Sequence, residues 1–147
     1  MPTPTREMLI AWARGYVEHW NAGDKRAWVE NWKRVAPGEF VMVDPVGTPP
    51  RSGFEECAAE PFALFQPATR FHVDPSTLFV CGNEVAWVME NTFTNDGQTS
   101  VMRSIEVYRF GDDGSVEIRP HYDVPGSGDS VAGELFSEYL PGHDAEP

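Results

Sequence analysis

Positive charge is scarce in this chain. Its 147 residues hold 11 Lys and Arg against 23 Asp and Glu, a formal net charge of −12. Such a surface repels phosphate backbones and anionic lipid, so neither nucleic acid nor a membrane surface is an expected partner. A neutral or apolar small molecule fits the charge better. Long apolar runs are missing as well: nothing approaches the roughly eighteen consecutive apolar residues of a membrane-spanning helix. The opening MPTPTREMLIAWARG has neither the basic start nor the long apolar core of a secretion signal, and a cytoplasmic location is expected. Cys57 and Cys81 lack CxxC spacing and read as reduced, buried small hydrophobes, with neither zinc nor a disulfide expected. His19, His72, His121 and His143 form no HxxxH pair, so no metal site is expected.

What is abundant is aromatic. Five Trp, nine Phe and four Tyr are spread along most of the chain, and 41% of residues are apolar. This composition and length fit one globular domain with a full core. Leu9, Trp12, Ala13, Tyr16, Val17 and Trp20 recur at helical spacing, predicting a first helix begun by Pro4 or a neighbouring Thr. Asn21-Ala22-Gly23 should end it, and Asp24 should cap a second helix through about Arg34. Ser52-Gly53-Phe54-Glu55 matches a capping box before a third helix, which Pro61 should kink or split.

From residue 70 the period changes to two. Strands are expected at 70–73 with 77–81, 84–94, 99–110 and 115–124, with Asp96-Gly97 as a hairpin turn. Helices first and a strand meander last indicate an α+β fold, an antiparallel sheet curling around helices on one face. The expected domain is 1–124. The tail, 125–147, begins as a Gly/Ser linker, and Val131, Leu135, Phe136 and Tyr139 suit a short amphipathic helix over the pocket.

Two carboxylates interrupt apolar faces. In the stretch FVMVDPVGTPPRSG, alternation puts Phe40, Met42 and Asp44 on one face. Two readings fit: an Asp-Pro turn starter, or a carboxylate used on a core face. In SVMRSIEVYRF, Met102, Ser104, Glu106, Tyr108 and Phe110 share one face. Arg103, Ile105, Val107 and Arg109 share the other, and the two arginines mark that other face as outward. With Tyr16 on the first helix, three polar groups aim at one core. A carboxyl in apolar surroundings is held neutral by desolvation and donates a hydrogen bond, while one nearer the mouth stays ionised and acts as a base.

The stretches YVEHWNAGD at 16–24, DPVGTPPRSG at 44–53 and NEVAWVMENTFTNDGQTSVMRSIEVYRF at 83–110 resemble the ketosteroid isomerases and the wider SnoaL-like, NTF2-like superfamily. The resemblance covers roughly residues 10 to 124. It implies a cone: a curved, mostly antiparallel sheet wrapped over N-terminal helices, enclosing a deep apolar pocket. It also implies a cofactor-independent enzyme in which an Asp shuttles a proton through an enolate whose oxygen is held by a Tyr and a protonated acid. Those roles fall on Asp44, Tyr16 and Glu106, with Glu standing where the family has Asp.

The expected substrate wall is Trp20, Met42, Phe62, Trp87, Met89, Tyr108 and His121. Strict alternation, however, puts His121 with Glu117 and Arg119, and tryptophans are more often core. Alternatives from other classes are a SnoaL-like cyclase, dehydratase or carbon–carbon lyase acting on a hydrophobic cyclic or aromatic compound, and a non-catalytic binding module. Arg51 reads as a solvated loop charge. Ile105 and Val107, apolar on the outward face, suggest a homodimer.

Overall fold

The computed structural model describes residues 2–122; the expected tail helix lies outside the described residues. Helix α1 spans Arg6–Asn21, and the Thr5 hydroxyl accepts from the Met8 amide at its start. Helix α2 spans Lys25–Val35, and Asp24 Oδ1 caps it by accepting from the Ala27 amide at 3.0 Å. Gly23 carries the chain between them at φ 68°, a conformation glycine adopts without steric cost. The helices pack closely at Gly15, where an added Cβ would lie 2.9 Å from the Asn31 side chain. Asn31 Nδ2 in turn donates to the Trp12 carbonyl at 2.9 Å, tying α2 to α1.

Six strands follow: β1 (Phe40–Met42), β2 (Arg51–Ser52), β3 (Thr69–Cys81), β4 (Glu84–Asn95), β5 (Gln98–Phe110) and β6 (Val116–Tyr122). They form one curved, unclosed sheet in the order β2-β1-β6-β5-β4-β3. All pairings are antiparallel except β1 with β6. This is the expected α+β cone. Asp96 and Gly97, both at positive φ, make the tight β4–β5 turn the sequence signals. Asn21 docks α1 on the sheet edge as a strand would: Nδ2 donates to the Phe71 carbonyl at 2.7 Å, and Oδ1 accepts from the Phe71 amide at 2.9 Å.

The core lies between the helices and the inner sheet face and is dominated by rings. Trp12 stacks on Trp87 at 5.4 Å, and Trp20 on Phe71 at 4.3 Å. Among the described residues, the buried indole nitrogens of Trp12, Trp28 and Trp32 have no hydrogen-bond partner. Each of these rings has other aromatic rings within about 6 Å, and ring faces are weak acceptors for an N–H.

Two local expectations are corrected. Ser52 does not cap a helix: it pairs with Val41 in β2, and the following Glu55–Ala59 π-helical turn has no side-chain cap. The break at Pro61 is as expected, with α3 (Glu60–Phe65) starting anew and Pro61 in its first turn. Cys81 is exposed, whereas Cys57 is buried; both are free thiols.

Candidate functional site

Asp44 follows β1 directly. Phe40 and Met42 are buried and Val41 faces out, so the alternation carries Asp44 inward. Two backbone bonds to β6 bracket it: the Val43 amide donates to Ile118, and the Val46 amide to Pro120, both at 2.9 Å. The Thr48 hydroxyl closes the turn by donating to the Pro45 carbonyl at 2.8 Å. Asp44 is therefore held by the main chain while its carboxyl lines a cavity of about 160 Å³.

Burial pushes the Asp44 carboxyl up to about 7, the nearby Glu106 charge adds to the shift, and Arg51 opposes it. Arg51 is thus no bystander: it lines the same cavity.

Glu106 sits mid-strand in β5, 4% exposed, with Ser104, Tyr108 and Phe110 on the same inward face. Arg103, Ile105 and Arg109 face out, so the expected facing of β5 is correct. Three groups donate to the Glu106 carboxyl. Trp87 Nε1 reaches Oε1 at 2.9 Å, the Tyr108 hydroxyl reaches Oε1 at 2.6 Å, and the Ser104 hydroxyl reaches Oε2 at 2.7 Å. Asn91 Nδ2 donates to Ser104 Oγ at 3.0 Å, which orients the serine proton toward Glu106. The indole can only donate. Glu106 Oε1 therefore accepts, and both carboxyl oxygens are engaged by partners on β4 and β5.

Tyr16 lines the same cavity as Tyr108, with the two rings 6.0 Å apart and their hydroxyls interacting electrostatically. Tyr122 brings a third phenol to the cavity and bonds Ser104. Burial, reinforced by the Glu106 charge, raises the Tyr16 and Tyr108 hydroxyls well above the ordinary tyrosine range. Burial raises Tyr122 as well, with Asp44 and then Glu106 adding to it. All three are protonated donors at neutral pH. Cys57 also lines the cavity, but burial and Glu56 push its thiol up to about 11, so it is no thiolate there. Among the described residues no cluster of three His, Cys, Asp or Glu could hold a metal ion, and no helix is long and apolar enough to cross a membrane.

Of the expected site residues, Tyr16, Asp44, Glu106, Trp20, Met42 and Tyr108 line the cavity. Four of the expected wall residues do not. Trp87 and Met89 are covered in the core, Trp87 beneath the Trp12 ring. Phe62 packs edge-on against Trp20. His121 lies on the outer sheet face, exposed, its Nδ1 3.2 Å from the Ile105 carbonyl. Its neighbours Pro120 and Tyr122 take the inward positions. Tyr122, Ser104 and Asn91 were not anticipated. The signal for Tyr122 was the alternation itself: if 117, 119 and 121 face out, then 118, 120 and 122 face in.

The family model for the SnoaL-like domain matches residues 13–118. No curated protein matches the chain. Solved structures share the fold. One is provisionally described as a SnoaL-like polyketide cyclase from Jannaschia sp. CCS1, at TM-score 0.61 and 18% identity, covering 84% of this chain and 90% of that one. A second is RV0760c from Mycobacterium tuberculosis, at TM-score 0.63 and 19% identity, covering 82% and 95%. A third is Bal32a from a soil-derived mobile gene cassette, at TM-score 0.61 and 17% identity, covering 80% and 90%. Matched over most of its length by that family model and built on that fold, the chain belongs to the SnoaL-like domain family of the NTF2-like superfamily.

Proposed function

We propose that this protein is a cofactor-independent acid–base enzyme that moves a proton next to a carbonyl group in a hydrophobic cyclic or aromatic small molecule. Asp44 is the base. Its carboxylate takes the proton from the carbon beside the carbonyl and becomes neutral, while the electron pair moves to the carbonyl oxygen as an enolate. Tyr16 donates its O–H to that oxygen, and Tyr122 supplies a second donor. Asp44 then returns the proton to a different carbon, completing an isomerisation. Glu106 holds the hydroxyls in place through Tyr108 and Ser104, without contacting the substrate.

One observation carries this reading: the Asp44 carboxyl, pushed up to about 7 by burial, stands on the wall of a cavity that also holds Tyr16 and Tyr122. A base is most effective when its pKa lies near the working pH. Donors aimed at developing charge supply the rest. A cavity near 160 Å³ is about the size that encloses a single aromatic ring, which favours small ring ketones over a four-ring steroid.

The same first step begins an intramolecular aldol cyclisation. That second reading is favoured by the cyclase description of one structural neighbour. Deuterium exchange covers both. Ring ketones and enones are incubated with enzyme in D2O, and loss of the proton beside the carbonyl is followed by NMR. Enzyme-dependent exchange is expected, and it should vanish in Asp44→Asn. No exchange with any ketone would overturn the reading.

The assembly we propose is a homodimer through the outer sheet face. Val101 and Ile105 are 58% and 56% exposed there. Cross-strand pairs of opposite charge, Glu90 with Arg103 and Glu84 with Arg109, flank them.

A further inference from the structure

A second cavity, about 450 Å³, lies on the other side of α1, between that helix and the edge strand β3. The strand makes room for it. Val73 pairs with Met89 and Leu78 with Trp87, so five steps along β3 match two along β4, and the surplus bulges out at Asp74–Thr77. The bulge is fastened from within: Asp74 Oδ1 accepts from the Ser76 amide at 2.8 Å and from its hydroxyl at 2.7 Å, and the Thr77 hydroxyl donates to the Asp74 carbonyl at 2.8 Å. Bulges so fixed serve to re-aim strands beside binding sites.

The groove is apolar along its length and carries two arginines, a histidine and Glu18 along its rim. Ile10 and Val17 from α1 face Val73, Leu78 and Val80 from β3, with Trp87 beneath, and the aliphatic residues are half-exposed. Arg6 and Arg14 lie two helical turns apart on the α1 side, and His72 stands on the β3 side. Glu18 lines the groove too, and Asp74 lies near His72 with its carboxylate folded into its own turn. Arg6 donates to the Val80 carbonyl at 2.7 Å, which pins one end. Among the described residues no hydrogen bond or ion pair engages Arg14. Arg14 is thus a cation over an apolar floor, placed to meet an anionic head.

We propose that this groove is a second binding site, for an amphiphile with a carboxylate head and an aliphatic chain. The chain lies along Ile10, Leu78 and Val80, and the head pairs with the Arg14 guanidinium, a geometry suited to carboxylate. The volume is within the usual range for small-molecule sites.

Calorimetric titration with sodium octanoate tests this, with octyltrimethylammonium as the control of opposite charge. One site is expected for octanoate, with much weaker binding of the cation. Arg14→Glu should weaken octanoate by at least about tenfold, the scale of a lost charged hydrogen bond. Leu78→Trp should fill the groove and abolish binding, and Asp44→Asn should leave it unchanged. NMR of the unmodified protein should show octanoate shifting the methyls of Val73, Leu78 and Val80, but not that of Met42 in the first cavity. Equal binding of the cation, undiminished binding in Arg14→Glu, or shifts confined to Met42 would overturn the proposal.

Discussion

The Tyr108 hydroxyl donates to Glu106 Oε1 at 2.6 Å, and this bond organises the site's polar half. Through it a mid-strand carboxyl gains a partner two residues along its own face, with Trp87 arriving from β4 and Ser104 from the other side. Glu106→Ala would leave those donors buried without an acceptor and open a cavity. At about 1–3 kcal/mol per orphaned donor, plus the cavity, a loss of at least about 3 kcal/mol is expected. Glu106→Gln keeps an acceptor oxygen for Trp87 and Tyr108 and should cost much less. Urea denaturation measures both, and equal stabilities would mean that the carboxyl is not the hub described.

Tyr16→Phe removes one hydroxyl and leaves the ring that stacks on Phe71. Melting temperature should change little. Exchange turnover should fall by about 10²–10³, the usual cost of one donor to a developing oxyanion. A large drop in stability with turnover intact would place the hydroxyl in the fold and not in the chemistry.

The outer sheet face offers a simpler test. Light scattering should give twice the 16.4 kDa chain mass, and Ile105→Lys should yield a folded monomer. A monomeric unmodified protein would show that the face is covered in some other way.

Asp44 also makes a prediction about stability. Its folded carboxyl is raised from 3.8 to about 7, so the unfolded chain releases that proton first. Stability from this group is complete below its unfolded pKa, declines as pH rises, and is lost once pH passes about 7. Asp44→Asn removes this penalty. Its stabilising effect should therefore grow from acid pH up to about 7 and stay level above. A gain that is constant across this range would mean that the carboxyl is not desolvated.

Much of this was legible in the sequence because alternation is strict. The order Met102, Ser104, Glu106, Tyr108, Phe110 could face only one way once Arg103 and Arg109 were placed outside, and the NAGD turn marked both helix ends. What alternation does not give is which inward residues meet open space. Trp87 and Met89 share a face with Asn91, yet Trp12 lies over Trp87 while Asn91 reaches the cavity. Covering is a property of α1, seventy residues away. Arg51 is exposed, as expected, but it lies in a strand and not a loop: the pairing of β2 with β1 brings it to the cavity that Asp44 lines. The Trp87 donor to Glu106 comes from β4, a neighbour that the β5 sequence does not name.

The most direct test of the account is the pH dependence of deuterium exchange, compared in the unmodified enzyme and Asp44→Asn. With Asp44 as the base, kcat/KM should rise with pH to a plateau, with the half-way point near the carboxyl's value of about 7. The Asn variant should lie roughly 10²–10⁴-fold lower and lose that limb. A profile flat through neutral pH, or an Asn variant that keeps both the rate and the limb, would contradict Asp44 as the base.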